Sequence, residues 1–227
     1  MDKTVQYHFD KTVDDYDIFA DDVVMKNNDL HQTITLAMAI PNDRITNILD
    51  LGCGTGYGSG MILRTYPQAK VTGVDFSQRM MTKAKINLNH FGDRIILLEE
   101  DFTTIKLENN KYNAVVSAIA IHNVTHSQKG KLFQSIYSWL KKGGCFINGD
   151  FIQGETALLD KEYRQIYSEY MLKRLRGKDL LIWLNHAFNQ DTAMKLSEQF
   201  QLLAKVGFSK IELLWQFNNE AVYKAVK

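Results

Sequence analysis

The feature that most constrains this chain is a dense cluster of glycines that directly follows an apolar run. In the segment ILDLGCGTGYGSG, five of the 14 glycines stand at alternate positions from Gly52 to Gly60. Glycine adopts backbone conformations closed to other residues and lets other groups approach the backbone closely. Residues 45–51 form a continuous apolar run typical of a buried strand, and residues 60–66 continue as a helix. A strand, a glycine turn and a helix in succession predict a ligand held against backbone N–H groups and a helix N-terminus.

Strand and helix patterns alternate along residues 45–152. Strands are predicted over residues 45–51, 70–76, 95–98, 112–121 and 145–152. Two of the intervening helices are predicted to open at Ser77 and Ser127, because serine is a favoured N-cap residue. Since parallel neighbours need crossover connections, this alternation predicts an α/β fold with a parallel sheet.

The pattern changes after residue 154. Residues 155–190 are predicted to be helical with no strand, residues 191–206 form a further helix stopped by Gly207, and Asn218-Asn219 joins two final strands as a hairpin. The chain is therefore predicted to have four segments. They are an N-terminal helical cap (1–40), a cofactor-binding core (41–154), a helical lid insertion (155–190), and a C-terminal helix and β-hairpin that completes the core (191–227).

Composition argues against several classes of protein. Lys and Arg number 27 against 26 Asp and Glu, so the net charge of +1 gives no general attraction to nucleic acid. Cys53 and Cys145 are too few for a disulfide framework, and no apolar stretch is long enough to span a membrane. We therefore expect a cytoplasmic protein without a membrane partner.

The spacing of the glycines favours one class of ligand over another. The dinucleotide fingerprint is G-x-G-x-x-G, whereas Gly52, Gly54 and Gly56 follow the pattern G-x-G-x-G, with Asp50 two residues before them. A carboxylate at that position would repel a pyrophosphate and pair with an ammonium, which suits the amino-acid end of S-adenosylmethionine. Asp75, at the end of the next predicted strand, would accept ribose hydroxyl groups from either ligand.

The motifs DLGCGTG, GVD, EEDF and YNAVVSAIAIHNV, in that order, resemble those of the class I S-adenosylmethionine-dependent methyltransferases, in particular the small-molecule branch. The opening FDKTVDDYD is similar to the F-D-x-x-A-x-x-Y-D start of many members, with Val13 where alanine is usual. The resemblance covers nearly the whole chain. It implies a Rossmann-like, seven-stranded, mostly parallel sheet with an antiparallel C-terminal strand, helices on both faces and a helical lid, with S-adenosylmethionine as the cofactor.

The resemblance also implies roles for individual residues at the strand ends. Asp50 would face the methionine ammonium, Asp75 would bind the ribose diol, and Asp101 would hold the adenine amine. Tyr16 would close over the cofactor, although it also suits a core position. The cofactor-binding residues implied are Tyr16, Asp50, Gly52, Cys53, Gly54, Thr55, Gly56, Asp75, Phe76, Met80, Asp101, Phe102, Ser117, Ala118 and Ile119. Gly58 and Gly60 lie outside this pattern and are expected to let the following helix pack closely on the sheet.

Methyl transfer from a sulfonium is an in-line displacement in which the protein aligns the reactants and excludes water. A general base is needed only where the acceptor must lose a proton, and His122 has an ordinary pKa of about 6.5 that suits this work. The candidate catalytic residues are His122, Tyr16 and Asp150. The predicted acceptor pocket is lined by Phe19, His122, Glu155, Tyr163, Tyr167, Trp183 and His186. Two alternatives stay open: His122 as an ordinary loop histidine, and the aromatic residues as the core of the lid.

The spacing of His122 and His126 spans a loop and a helix start, so no metal is expected. The resemblance implies transfer of a methyl group to a small-molecule acceptor. The basic run KRLRGK at residues 173–178 leaves an RNA-modifying methyltransferase as an alternative, although a nucleic-acid partner is not favoured. A non-catalytic protein that binds S-adenosylmethionine is a further alternative, and a homodimer stays open.

Overall fold

The fold is built on a mixed eight-stranded sheet, seen in a computed structural model that describes residues 20–38 and 46–227. The strands are β1 (Thr46–Leu51), β2 (Ala69–Asp75), β3 (Ile95–Glu99), β4 (Tyr112–Ala118), β5 (Leu140–Gln153), β6 (Met194–Lys195), β7 (Ser209–Phe217) and β8 (Glu220–Val226). Their order is β3-β2-β1-β4-β5-β8-β7, and β6 pairs with β5 off this path.

Seven α-helices connect or cover these strands in the described part of the chain. They are α1 (Asn27–Ala37), α2 (Tyr57–Thr65), α3 (Gln78–Leu88), α4 (His126–Trp139), α5 (Ala157–Arg174), α6 (Gly177–Asn185) and α7 (Leu196–Val206). Short 3₁₀ turns follow α3 at Asn89–Arg94 and β4 at Ile121–Asn123, and a π-turn follows α6 at His186–Gln190. None of the described helices is both long and apolar enough to cross a membrane.

The strand directions confirm the predicted fold class. Strands β1 to β5 pair in parallel, whereas β8 runs antiparallel to both β5 and β7. The predicted C-terminal hairpin is present, and its turn uses Asn218 at a φ of 50°. Because parallel strands end at the same edge, the loops after β1, β2 and β4 meet there, and a ligand site is expected at that edge.

Two of the boundaries that differ from the sequence prediction have clear local reasons. The helix expected from Ser127 begins at His126, because Thr125 forms a capping box with Gln128. The helix expected over residues 191–206 begins at Leu196, because Met194 and Lys195 pair with the end of β5 as strand β6. Ser77 does cap α3 as predicted, since its side chain accepts from the backbone N–H of Met80.

Two apolar cores lie on the opposite faces of the sheet. Alternate residues of the central strands enter different cores: Leu49 and Val115 enter the core that includes α4 and α7, and Ile48 and Val116 enter the core that includes α1 and α2. Strands buried on both faces account for the continuous apolar runs in the sequence.

Helices α5 and α6 form most of the helical segment 155–190, which we call the insertion. A third apolar cluster joins the insertion to the end of β5 and to residues near Val23 and Val24. The hydroxyl of Tyr167 donates to the backbone carbonyl of Val23 at 2.8 Å, and that of Tyr170 donates to the carbonyl of Asp21. The insertion is therefore attached to the segment that precedes α1.

Candidate functional site

Three glycines shape the turn between β1 and α2. Gly52, Gly54 and Gly56 have φ angles of 72°, 53° and 88°, a region that residues with a side chain adopt at a cost. A Cβ on Gly52 would lie 2.4 Å from the Cβ of Ala120, and one on Gly56 would lie 2.6 Å from Leu88. A Cβ on Gly54 would meet nothing within 4 Å, because this glycine faces an open cavity.

Gly58 and Gly60 have different neighbours from those expected. A Cβ on Gly58 would lie 3.3 Å from the ring of His31 and 3.8 Å from a carboxylate oxygen of Asp50. A Cβ on Gly60 would approach Arg64 and Leu88. Gly58 therefore makes room for the ring of His31 on α1. The expected role, close packing of α2 on the sheet, is not what its neighbours show.

Asp75, at the end of β2, holds the glycine turn in place. Its Oδ2 accepts from the backbone N–H of Gly54 at 3.0 Å, and its Oδ1 accepts from that of Ser77 at 2.9 Å. Each carboxylate oxygen can accept a further hydrogen bond. A buried carboxylate fixed in this way faces the cavity beside Gly54 and presents acceptors to it.

Asp50 presents a second carboxylate on the other side of the turn. Its Oδ2 accepts from the hydroxyl of Ser59 at 2.6 Å. Burial raises the pKa of Asp50 to about 6, the hydrogen bond from Ser59 opposes this shift, and the nearby charge of Asp75 adds to it. A cation beside Asp50 would relieve this cost, because it favours the charged carboxylate.

Two connected cavities open at the carboxyl ends of β1, β2 and β4. The first is lined by Gly52, Gly54, Asp75, Phe76, Met80, Phe102, Ala118, Ile119, Ala120 and Asn123. The second is lined by Ala20, Asp21, Val24, Asn27, His31, Asp50, Gly52, Cys53, Gly54, Thr55, Tyr57, Gly58, Ala118 and Ile119. Both share Gly52, Gly54, Ala118 and Ile119, so they form one cleft, with Asp75 in one half and Asp50 in the other.

Most of the predicted cofactor residues line this cleft, and three of the described ones do not. Ser117 donates its hydroxyl to the carbonyl of Leu51 at 2.8 Å and joins β4 to β1. Asp101 accepts from the backbone N–H and the hydroxyl of Thr103, so its carboxylate shapes its own turn. Gly56 is the N-cap residue of α2 and does not line the cleft. Tyr16, like Phe19 of the predicted acceptor pocket, lies outside the described residues.

His122 and Asp150 form a buried pair next to the cleft. Nδ1 of His122 lies 2.6 Å from Oδ1 of Asp150, whose Oδ2 accepts from the backbone N–H of His122 at 2.8 Å. The other ring nitrogen contacts the amide nitrogen of Asn123 at 2.9 Å. Burial lowers the pKa of His122, but the carboxylates of Asp150 and Asp191 outweigh it and raise the pKa overall. Asn123 lines the cleft, whereas neither His122 nor Asp150 does.

The structure distributes the predicted acceptor-pocket residues over several places. Glu155 is exposed and accepts from the backbone N–H and hydroxyl of Ser197, which places it at the start of α7 and away from the cleft. Tyr163 accepts a hydrogen bond from Gln216 on β7. Tyr167 and Trp183 are buried in the third apolar cluster, and Trp183 stacks edge-on against His186. Tyr167 and Trp183 therefore belong to the core of the insertion, which is the alternative that the sequence left open.

The cleft also contains residues that the sequence did not indicate. His31 and Asp21 line its second half, and Asn123 and Ala120 line the first. Burial lowers the pKa of His31, which keeps its ring neutral, although a hydrogen bond with Asn27 and the charge of Asp21 oppose the shift. The residues HNV at positions 122–124 carried a signal, since they directly follow the predicted fourth strand. His31 carried none, because it belongs to a helix far from the motifs.

Comparison with known proteins identifies the family. A family model described as a methyltransferase domain matches residues 48–144. The carboxy-S-adenosyl-L-methionine synthase of Hydrogenovibrio crunogenus is 30% identical over 200 residues, which cover 86% of this chain and 77% of the relative. The chain belongs to the class I S-adenosylmethionine-dependent methyltransferases. Membership confirms S-adenosylmethionine as the cofactor of this methyltransferase, and the donors in the cleft fit it.

Two further similarities cover only part of the other protein. The methyltransferase is 35% identical over 130 residues to the ubiquinone/menaquinone biosynthesis C-methyltransferase UbiE of Syntrophotalea carbinolica, covering 57% of this chain and 54% of the relative. A structure of Haemonchus contortus phosphoethanolamine N-methyltransferase 2 with S-adenosyl-L-methionine has a TM-score of 0.70 at 18% identity, covering 96% of this chain. The chain spans only 57% of that protein, and the likeness concerns the fold.

Proposed function

We propose that this methyltransferase transfers the methyl group of S-adenosylmethionine to a small-molecule acceptor by direct in-line displacement. The observation that carries the proposal is the divided cleft, with Asp75 in one half, Asp50 in the other, and Ala118 and Ile119 lining both. An adenosine needs ribose acceptors at one end, and an amino acid needs a carboxylate for its ammonium at the other. The two halves offer these groups in that arrangement.

Each half of the cleft has a distinct task in this proposal. Asp75 would accept the ribose hydroxyl groups, while Phe76 and Met80 would pack beside the adenine. Asp50 would pair with the methionine ammonium, and Gly54 would let the backbone pass without a side chain in the way. When bound, S-adenosylmethionine supplies an electrophilic methyl group on its sulfonium. The protein then contributes alignment and exclusion of water.

The junction between the halves has unusual backbone geometry. Ile119 has a φ of 51°, which is rare for a β-branched side chain and costs on the order of 1–3 kcal/mol. Its backbone N–H donates to the carbonyl of Gly149 at 2.8 Å, which helps to hold this conformation. Strain of this kind is found where structure fixes a functional group. We infer that Ile119 lies where the sulfonium and the acceptor meet.

The charge of the cleft favours a neutral or cationic acceptor. Among the described residues that line the two cavities, the carboxylates are Asp21, Asp50 and Asp75, and no lysine or arginine is present. An anionic acceptor would be repelled by this surface. The insertion and the segment before α1 would cover the acceptor as a lid, which their contact through Tyr167 and Val23 supports.

Two alternatives give different products. The name of the Hydrogenovibrio crunogenus relative raises a carboxy-S-adenosyl-L-methionine synthase as a second candidate, in which S-adenosylmethionine itself gains a carboxyl group.

An RNA-modifying enzyme would need cations that are free to bind phosphates. The guanidinium of Arg174 instead lies over the ring of Tyr170 and near Asp22. That of Arg176 donates to backbone carbonyls at the end of its own helix. These contacts favour the small-molecule acceptor over RNA.

One labelling experiment distinguishes these functions. The full chain is incubated with methyl-labelled S-adenosylmethionine and, separately, with the small-molecule fraction and the total RNA of a cell extract, and the products are identified by mass. Label in a small molecule together with S-adenosylhomocysteine is the expected result. Label in RNA, or a carboxylated S-adenosylmethionine formed without S-adenosylhomocysteine, would establish the corresponding alternative. Binding without any product would indicate a non-catalytic protein. If the cleft binds the cofactor, an Asp75→Ala variant should form less product than the exposed Asp93→Ala, its matched control.

A further inference from the structure

Three metal-ligating side chains from two distant parts of the chain meet next to the cleft. His122 lies in the turn after β4, His186 begins the π-turn after α6, and Asp191 follows that turn. Nε2 of His186 lies 3.2 Å from Oδ1 of Asp191, and Nε2 of His122 lies 3.6 Å from the same oxygen. One ligand atom from each residue lies within 4.8 Å of the other two. We call these residues the His122 cluster.

Two of the three separations within the cluster lie close to those of a coordinated ion. Tetrahedral zinc binds imidazole nitrogen and carboxylate oxygen at about 2.0–2.2 Å, which places neighbouring ligand atoms about 3.4 Å apart. The two distances to Asp191 lie on either side of this value. Two imidazoles and one carboxylate also leave a fourth position open, and imidazole donors favour transition metals over Mg²⁺ or Ca²⁺.

Asp150 orients the cluster as the outer carboxylate of a metal site would. It holds Nδ1 of His122 at 2.6 Å and is itself fixed by the backbone N–H groups of His122 and Phe151. This contact places the proton on Nδ1 and leaves the lone pair of Nε2 directed away from Asp150. Carboxylates that accept from a ligating histidine in this way fix its tautomer and raise its basicity.

The charges around the cluster favour a cation. The side chains of Asp150 and Asp191 are only 4% and 7% exposed, and the ammonium of Lys129 is the one buried cation near them among the described residues. Among the described residues, two carboxylates face one ammonium here, and a bound cation would offset the difference. At present the amide nitrogen of Asn123 contacts Nε2 of His122 at 2.9 Å, and its Oδ1 is buried without a described hydrogen-bond partner. An ion would compete with this amide for Nε2.

We propose that His122, His186 and Asp191 bind one divalent transition-metal ion, with a donor set suited to Zn²⁺. The ion would join the core, which supplies His122 and Asp150, to the end of the insertion, which supplies His186. Backbone contacts already align the two parts, because the N–H and hydroxyl of Thr192 donate to the carbonyl of His122 at 2.8 and 2.7 Å. The site is separate from the cofactor cleft and does not depend on the acceptor proposed above.

Metal binding by the full chain tests this inference directly. The protein is stripped with a chelator, dialysed against Zn²⁺ or Co²⁺, and analysed for bound metal by mass spectrometry and for the visible absorption of four-coordinate Co²⁺. We expect one equivalent per chain, its loss in His186→Gln and Asp191→Asn, and its retention in His126→Gln. His126 is the matched control, since it lies four residues from His122 and its ring contacts only the carbonyl of Ala193 among the described residues. Asp150→Asn is expected to weaken binding about 10- to 100-fold.

A second readout keeps the test independent of variant stability. Zn²⁺ should raise the melting temperature of the wild type and leave that of Asp191→Asn unchanged, because a ligand stabilises only the fold that binds it. Wild-type protein that binds no equivalent would overturn the proposal and identify the cluster as a proton-linked ion-pair network. An equivalent that survives in both His186→Gln and Asp191→Asn would overturn it equally.

Discussion

The cofactor cleft and the His122 cluster adjoin each other through Asn123, yet they are assembled in opposite ways. The cleft draws Asp50, Gly52 and Gly54 from one short stretch, and the backbone N–H of Gly54 donates to Asp75. In the cluster, His122 follows β4, His186 comes from the end of the insertion and Asp191 directly follows the insertion, while Asp150 on β5 orients His122. The cleft therefore depends on local backbone shape, whereas the cluster depends on packing between distant elements.

The largest expected effect concerns the cluster. Asp150→Ala would leave the ring and backbone N–H of His122 buried without their partner, and breaking such a pair typically costs about 3–5 kcal/mol. We expect urea unfolding to show this loss, with S-adenosylmethionine affinity of the remaining folded protein close to that of the wild type. The exposed Asp93→Ala is the control. A variant that keeps its stability but loses the cofactor would show that the two regions are not independent.

A glycine pair tests the cleft by itself. Gly52→Ala places a Cβ 2.4 Å from that of Ala120 at a positive φ, so we expect a loss of about 2–4 kcal/mol in unfolding free energy. Gly54→Ala has a positive φ but open space, so it should cost only about 1–2 kcal/mol while obstructing the cofactor. Unfolding curves together with calorimetric titration of S-adenosylmethionine separate the two. Equal stability losses would contradict the contacts described for Gly52.

Asp75 gives a smaller effect that is specific to binding. Asp75→Ala should weaken S-adenosylmethionine binding by about 1–3 kcal/mol, because the ribose hydroxyl groups and the N–H of Gly54 lose their acceptor. Calorimetry measures the change, and Asp93→Ala again serves as the control. Unchanged affinity would remove the ribose role from Asp75.

The pH dependence of cofactor binding gives the smallest effect. Burial raises the pKa of Asp50 to about 6, and only the ionised carboxylate pairs with an ammonium. The part of the affinity that depends on Asp50 should therefore fall as the pH drops through 6, by about tenfold per pH unit once Asp50 is mostly protonated. The neighbouring groups are His31, whose pKa burial lowers, and Asp75, whose charge adds to the raised pKa of Asp50. Calorimetric titrations should show the fall in wild type and a flat profile in Asp50→Asn. The same fall in Asp50→Asn would assign it to another group.

The sequence predicted the fold well because local signals determine it. The apolar runs, the Ser77 cap, the stop at Gly207 and the Asn218-Asn219 hairpin depend on a few neighbouring residues each. The placement of Asp50 and Asp75 at the same edge follows from the rule that parallel strands end at one edge, whereas the strand order that makes β1 and β2 neighbours comes from the structure. Strand β6 was missed because a two-residue strand has no periodic pattern and exists only through its pairing with β5.

The sequence predicted most of the residues that line the half of the cleft around Asp75, and fewer of those that line the half around Asp50. The glycine turn and Asp75 carry motif spacing, and Phe76 and Met80 follow them directly. The placement of Glu155 and the partners of His122 depend on how the insertion folds back, which no short pattern encodes. In the sequence, the spacing of His122 and His126 was the one to weigh as a possible metal-binding pair. The structure instead places His122 next to His186, which is distant in the sequence.

The attachment of Thr192 determines how the insertion can move. Its N–H and hydroxyl bind the turn after β4, its carbonyl accepts from the ammonium of Lys129, and strand β6 follows at once. That end of the insertion is therefore held to the core. In the lid proposed above, we expect opening to swing α5 outward about this end and to break the hydrogen bonds of Tyr167 and Tyr170 to residues 21–23. The rates of acceptor entry and product release would then depend on these two tyrosine hydroxyls.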